Sequence, residues 1–200
     1  MNITLTLIVC YLIGSLPFGF IIGKLKGLDI RTTGSGNIGA TNVLRTFGKA
    51  YGIPCFLLDF LKGLIPVLIA KSLFPENEYT HIAAVVGTVL GHVFTCFLGF
   101  KGGKGVSTTA GALTAMSPLL VLIGAITWFI CLKISGFVSL GSIIASIVVP
   151  LLAWVDLFGT ITLPLTYKIF FTVMGILVVF RHKTNIVRIL NGTENSFKKK

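Results

Sequence analysis

The sequence predicts an all-α, polytopic membrane helix bundle, and three observations predict it. Mean hydropathy is +0.95. Charged residues make up only 12% of the 200, about half the share of an ordinary soluble domain. Apolar runs of membrane-helix character recur along the chain, over roughly 3–23, 51–74, 81–99, 106–116, 118–133, 137–155 and 161–180. A single integral membrane domain over 1–200 is expected.

The first run lacks a basic start and leads into no A-x-A-like site, so it reads as a membrane helix and not a cleaved leader. The second contains Asp59 and Lys62 at i, i+3, where they can pair within the span. The third carries His92, close to a glycine-rich loop. As one straight helix, 106–134 would measure about 42 Å, against roughly 30 Å of hydrocarbon. Ser117-Pro118 interrupts it, and both proline and the residue before it resist helix continuation. Two crossings are therefore expected there, the first of them short. The runs 137–155 and 161–180 complete seven transmembrane helices.

Charge orients them. Of 17 Lys and Arg residues, all but Lys62, Lys71 and Lys168 cluster at 24–49, at 101–104, at Lys133 and from Arg181 to the C-terminus. Seven crossings bring every cluster to one side, with the N-terminus outside and the C-terminus cytoplasmic. The segments around 75–80 and 156–163, with Glu76, Glu78 and Asp156, then lie opposite. The net charge of +11 follows from this rule and from anionic headgroups, so membrane lipids and not nucleic acid are the expected partners. The four cysteines lie in apolar runs without a C-x-x-C pair and read as packing residues.

Three polar segments would share the cytoplasmic face: "TTGSGNIGATNVLR" (32–45), "GHVFTCFLGFKGGKGVST" (91–108) and "RHKTNIVRILNGTE" (181–194). A fourth, "SGFVSLGS" (135–142), offers Ser139 and Ser142. The first contains G-x-G-x-x-G at Gly34, Gly36 and Gly39, but a membrane helix precedes it and Asp59 falls inside the next one. A dinucleotide site needs a strand and a βαβ unit, so that reading fails. The glycines still permit an anion nest of backbone N–H groups. Ser35, Thr41 and Asn42 add side-chain donors, and Arg45 adds a planar, bidentate one. Gly103-Lys104 is no Walker A motif, because Leu98 stands where its first glycine belongs and Gly105 follows the lysine. Lys101 and Lys104 nonetheless sit on a pliable backbone leading into a helix start, which favours anions. His92 reads best as a support for that loop. Arg181, Asn185 and Arg188 share one face if the last helix continues. Asp59 with Lys62 reads as structural or as a tether for a loop, and the final "NSFKKK" as a solvated tail paired with Glu194.

These groups would bind anions, and phosphates above all. No H-x-x-x-x-D dyad, G-x-S-x-G elbow or acidic metal cluster occurs, so an enzyme here works by positioning and charge stabilisation. A transporter would place its basic site near the midplane between repeated halves, and no internal repeat is visible. A lipid scaffold would not need the three loops.

"GSGNIGATNVLR", "GHVFTCFLGFKGGKGVST" and "RHKTNIVRILNGTE" resemble the three motifs of the PlsY family over the whole chain, in length, hydropathy and motif order. These are bacterial membrane glycerol-3-phosphate acyltransferases. The resemblance implies transfer of a fatty acyl group from acyl phosphate to sn-glycerol 3-phosphate. The products are 1-acyl-sn-glycerol 3-phosphate (lysophosphatidic acid) and phosphate, at the start of phospholipid synthesis. It implies no cofactor, metal, CoA or acyl-carrier donor, and a site on the cytoplasmic face of the inner membrane. Ser35, Arg45, Lys104, His182 and Asn185 would then be catalytic, with Arg45 and Lys104 holding the glycerol 3-phosphate phosphate. Gly34, Gly36, Asn37, Gly39, Thr41, Asn42, His92, Gly102, Gly103, Ser142 and Arg188 would bind substrates. The leaving phosphate would sit in the 34–42 nest, and Ser35, His182, Asn185 and Ser142 would orient the glycerol part. The base stays open between a phosphate oxygen of the donor, His92 and His182.

Overall fold

A computed structural model describes residues 3–155 and 162–197, and all regular structure among them is helical. The chain divides into two compact units, 1–115 and 116–200. The loop around Asp156 and the Lys198–Lys200 tail lie outside the described residues.

The first unit holds α1 (Ile3–Gly14), α2 (Phe18–Leu25), α3 (Ala40–Phe47), α4 (Lys49–Leu73), α5 (Glu78–Val93) and α6 (Val106–Thr114). The first apolar run is not one continuous helix. It breaks at Ser15–Pro17, because Pro17 has no N–H to continue the ladder. Pro54 and Pro66, by contrast, are carried inside the 25-residue α4, where membrane packing supports them. Small residues set the helix contacts. A Cβ on Gly87 or Gly91 of α5 would strike the α1 backbone at Leu7 or Tyr11, so this G-x-x-x-G lets the two helices touch. Gly63 of α4 faces the Thr108 carbonyl of α6 in the same way, and Gly111 faces that of Phe60.

The second unit holds α7 (Pro118–Ser135), α8 (Val138–Trp154), α9 (Leu165–Arg181) and α10 (Lys183–Leu190). Gly124 of α7 packs on Val149 of α8, and Gly175 of α9 on Ser146 of α8. Consecutive helices are thus neighbours.

Each of the seven apolar runs carries a helix, and the break expected at Ser117-Pro118 is there, with Pro118 as the first residue of α7. By length and apolarity, Ile3–Leu25, Lys49–Leu73, Glu78–Leu98 and Pro118–Ser135 suffice to cross a membrane, and α9 with α10 makes a fifth if that bent pair is counted as one span. Helix α8, at 17 residues, and the 9-residue α6 are shorter.

Candidate active site

In the first unit, the segment after α2 makes a single 3₁₀ turn at Ile30–Thr32 capped by Asp29. Asp29 accepts the Arg31 N–H at 3.0 Å and pairs with its guanidinium at 2.6 Å. The side-chain hydrogen bond from Arg31, then its backbone N–H, holds the Asp29 carboxyl down at about 2. The chain then turns through Gly34 and Gly36, at φ +55° and +70°, into α3.

The centre of this loop is Asn42, which is 1% exposed. Its Oδ1 accepts the Ser35 N–H at 2.9 Å. Its Nδ2 donates to the carbonyls of Ile30, Thr33 and Asn37 at 3.0, 3.0 and 2.9 Å. Asn37 Oδ1 accepts the Gly39 N–H, and the Gly36 N–H goes to the Thr33 carbonyl. Two sequence expectations change here. The N–H groups of Ser35, Gly36 and Gly39, expected to face an anion, close the loop on itself. Asn42, expected among the substrate donors, is its internal brace. A buried amide must satisfy both of its ends, and the turn supplies the partners. Arg45 follows one helical turn later, half-buried like Ser35 and Thr41.

The second glycine loop folds back on the end of α5. Gly102 N–H donates to Val93 O and Gly103 N–H to His92 O, both at 3.1 Å. Gly105, at φ +86°, leads into α6, and Lys104 beside it is half-buried, whereas Lys101 is exposed. A Cβ on Gly103 would collide with the His92 imidazole. On the ring's other side, Nδ1 lies 3.5 Å from Asp59 Oδ1. The ion pair expected between Asp59 and Lys62 forms at 2.7 Å. Lys62 Nζ also donates to the Leu16 carbonyl at 2.6 Å.

In the second unit, the condition for Arg181, Asn185 and Arg188 to share one face, a continuing helix, is not met. The helix ends at Arg181, His182 sits between α9 and α10, and the two axes diverge by 55°. His182 is buried and its Nδ1–H donates to Val178 O at 2.7 Å. Glu194, expected beside the tail lysines that lie outside the described residues, has partners within this unit. It accepts from Ser139 Oγ at 2.9 Å, Asn185 Nδ2 at 2.8 Å and Arg188 Nε at 3.0 Å. Ser142, also buried, accepts from Trp128 Nε1 and donates to Val138 O. The sequence analysis missed Glu194 as an organiser. Its signal was an acid just past a helix that carries an arginine and an asparagine.

Among the described residues no group of His, Cys, Asp or Glu is arranged to hold a metal ion. The polar equipment is cationic side chains on internally braced, glycine-rich loops, which suits phosphate recognition. Fold and loops together define a helical membrane protein of phosphate-handling type.

The comparisons narrow that class. The chain belongs to the glycerol-3-phosphate acyltransferase family, whose pattern matches residues 4–192. It is 44% identical over 190 residues to a glycerol-3-phosphate acyltransferase of Aquifex aeolicus, covering 95% of this chain and 96% of that one. It is 46% identical over 192 residues to that of Geobacter sulfurreducens, covering 95% of each. It also matches the crystal structure of PlsY, an integral membrane glycerol 3-phosphate acyltransferase, in its glycerol 3-phosphate form. There the TM-score is 0.91 at 42% identity, over 98% of this chain and 96% of that one. The lysophosphatidic acid form of PlsY matches with a TM-score of 0.89 at the same identity, over 98% of this chain and 95% of that one.

Proposed function

We propose that the protein transfers a fatty acyl group from acyl phosphate to sn-glycerol 3-phosphate at the cytoplasmic face of a bacterial inner membrane. The observation that carries this reading is the pairing of two cations, Arg45 and Lys104, with two glycine loops braced from within. The glycerol hydroxyl oxygen attacks the acyl carbon, the carbon–oxygen bond to phosphate breaks, and inorganic phosphate leaves. Arg45 and Lys104 hold the phosphate of glycerol 3-phosphate, and Ser35 and Thr41 contribute hydroxyls beside them. Asn37 and Asn42, with Gly34, Gly36 and Gly39, shape the first loop; His92, Gly102 and Gly103 shape the second. Ser35, His182, Asn185 and Ser142 are assigned to the glycerol part, and Arg188 to substrate binding, from the sequence.

The acyl phosphate is already activated, so the proton of the hydroxyl passes to an oxygen of the donor's own phosphate. No protein carboxylate, metal or cofactor is needed for this step. The single family match over 4–192 supports one catalytic domain across both compact units. The charge pattern supports seven crossings, N-terminus outside and C-terminus cytoplasmic.

The test is phosphate release by the purified protein from palmitoyl phosphate, with and without glycerol 3-phosphate, with palmitoyl-CoA as the alternative donor. Release that needs both substrates and forms lysophosphatidic acid, with the CoA ester inert, is expected. Turnover of the CoA ester alone overturns the donor assignment.

A further inference from the structure

We propose that Asp59 and Lys62 are positioning residues for the Lys104 loop, acting through His92. Three ionisable side chains meet inside the first unit, with Asp59 2%, Lys62 6% and His92 4% exposed. A buried ion pair is poor evidence for stability, because apolar residues of similar size usually serve as well or better. Inside a membrane helix its cost is higher still, and such charges mark function. Here the charges have a geometric consequence. They form a chain from the α1–α2 break to the second glycine loop. Lys62 Nζ lies 2.6 Å from Leu16 O and 2.7 Å from Asp59 Oδ1, and Asp59 Oδ1 lies 3.5 Å from His92 Nδ1.

The opposite edge of the imidazole is the wall on which Gly103 rests. A Cβ added to Gly103 would meet Nε2, Cε1 and Cδ2 of His92 together. The backbone fixes the same place, with Gly103 N–H on His92 O and Gly102 N–H on Val93 O. At 3.5 Å the carboxylate acts on the ring nitrogen through its charge, which favours one orientation of the ring. Turning this ring would move it into Gly103, and Lys104 is the next residue. The carboxylate on α4 thus sets where the Lys104 ammonium is presented. Lys62 pairs with that carboxylate and ties it to Leu16. None of the three need touch substrate.

The kinetic arm of the test rests on the acyltransferase reading; the other arm does not. The charge-neutral double variant Asp59→Asn/Lys62→Met strands no buried charge. In detergent, hydrogen exchange is followed over 101–105, with 30–47 as internal reference. The double variant is expected to exchange at least tenfold faster over 101–105 and unchanged over 30–47. Its KM for glycerol 3-phosphate is expected to rise at least tenfold, with kcat less affected. Wild-type exchange over 101–105 in a folded double variant overturns the proposal, as does a wild-type KM. His92→Phe is the second variant, because it keeps a ring against Gly103 and leaves the ion pair in place. It must itself loosen 101–105, and combining it with the double variant must add nothing further. Unchanged exchange in His92→Phe overturns the proposal even if the double variant does not fold. A wild-type protein without turnover would defeat the acyltransferase reading and leave the exchange result standing.

Discussion

Glu194 Oε1 lies 2.8 Å from Asn185 Nδ2, and this contact ties the segment after α10 back onto that helix. With Ser139 and Arg188 on the same carboxylate, it joins α8, α10 and the C-terminal segment of the second unit. Glu194→Ala should therefore cost about 3–5 kcal/mol, as expected when one partner of a buried, charge-assisted set is removed. Glu194→Gln keeps the shape and loses the charge, and should cost about half as much. Thermal unfolding in detergent measures both. A wild-type Tm for Glu194→Ala would refute the anchor.

Asn42 should behave as a fold residue, unlike the half-buried Arg45 beside it. Asn42→Ala takes the partner from the Asn37 carbonyl and the Ser35 N–H, and removes one of the donors to the Ile30 and Thr33 carbonyls. Each unsatisfied buried group costs about 1–3 kcal/mol. Asn42→Ala is expected to lower Tm by many degrees and to lose activity with it. Arg45→Ala should leave Tm nearly unchanged while activity falls. Equal Tm values in the two variants would show that Asn42 is not a brace.

The contrast between these residues shows what the sequence could tell. Hydropathy located the apolar helices, because burial in lipid leaves a direct trace, but gave no sign of the polar α3. Proline placed the break before α7 for the same reason that it broke α1 from α2 at Pro17, where the apolar run looked unbroken. The bend at His182 left no such mark, since neither proline nor glycine stands there. Spacing identified 34–42 as a polar, turning loop. It did not reveal which way Asn42 points, because a donor for a ligand and a donor for a turn have the same composition. Glu194 was hidden by a chain reversal. Gly192, at φ +67°, and the Thr193 N–H on Arg188 O swing the chain back after α10, a helix-ending turn that brings a distant acid onto its own helix.

Asp29 gives a pH dependence with a defined sign. Its carboxyl titrates at about 2 when folded, against an ordinary value of 3.8, because Arg31 stabilises the ionised form. The stabilisation is therefore fully present above about pH 4 and is lost as pH falls from there toward 2. The Tm of Asp29→Asn should lie below that of wild type at pH 6, and the gap should shrink by pH 3. A gap that widens on acidification would contradict the Asp29–Arg31 pair.

Arg45 and Lys104 should fail in the same way. If both hold the same phosphate, Arg45→Ala and Lys104→Ala each remove a charge-assisted contact of about 3 kcal/mol, or roughly 100-fold in kcat/KM. The loss should appear mainly as a higher KM for glycerol 3-phosphate. Arg45→Lys should recover little, because an ammonium cannot reproduce a planar, bidentate donor. The substrate-assisted route adds a contrast. His92→Gln and His182→Gln should each retain substantial kcat, whereas an obligatory base would lose nearly all of it. Steady-state kinetics with both substrates varied separates these outcomes.

The short helix α6 decides the topology. Its 9 residues span about 14 Å, less than half of the roughly 30 Å hydrocarbon thickness. A helix of that length is stable at membrane depth only if protein surrounds it, because lipid offers no partners for its end groups. The structure meets that condition on one side, since Gly63 and Gly111 let α6 lie directly on the α4 backbone. Lys71 Nζ also donates to the Ala115 carbonyl at 2.7 Å, satisfying one exposed group at the C-terminal end of α6. A helix supported in this way can serve as a crossing. Residue 117 should then lie outside, while Lys101 and Lys133 stay cytoplasmic. A topology reporter fused after residue 117 is expected to give an external signal, and one fused after residue 135 a cytoplasmic signal. A cytoplasmic signal at both positions would make α6 and α7 a re-entrant pair. It would reduce the crossings from seven to five and leave the C-terminal cations on the cytoplasmic side, whereas an external signal after residue 135 would make 106–134 one crossing and put those cations opposite the other clusters.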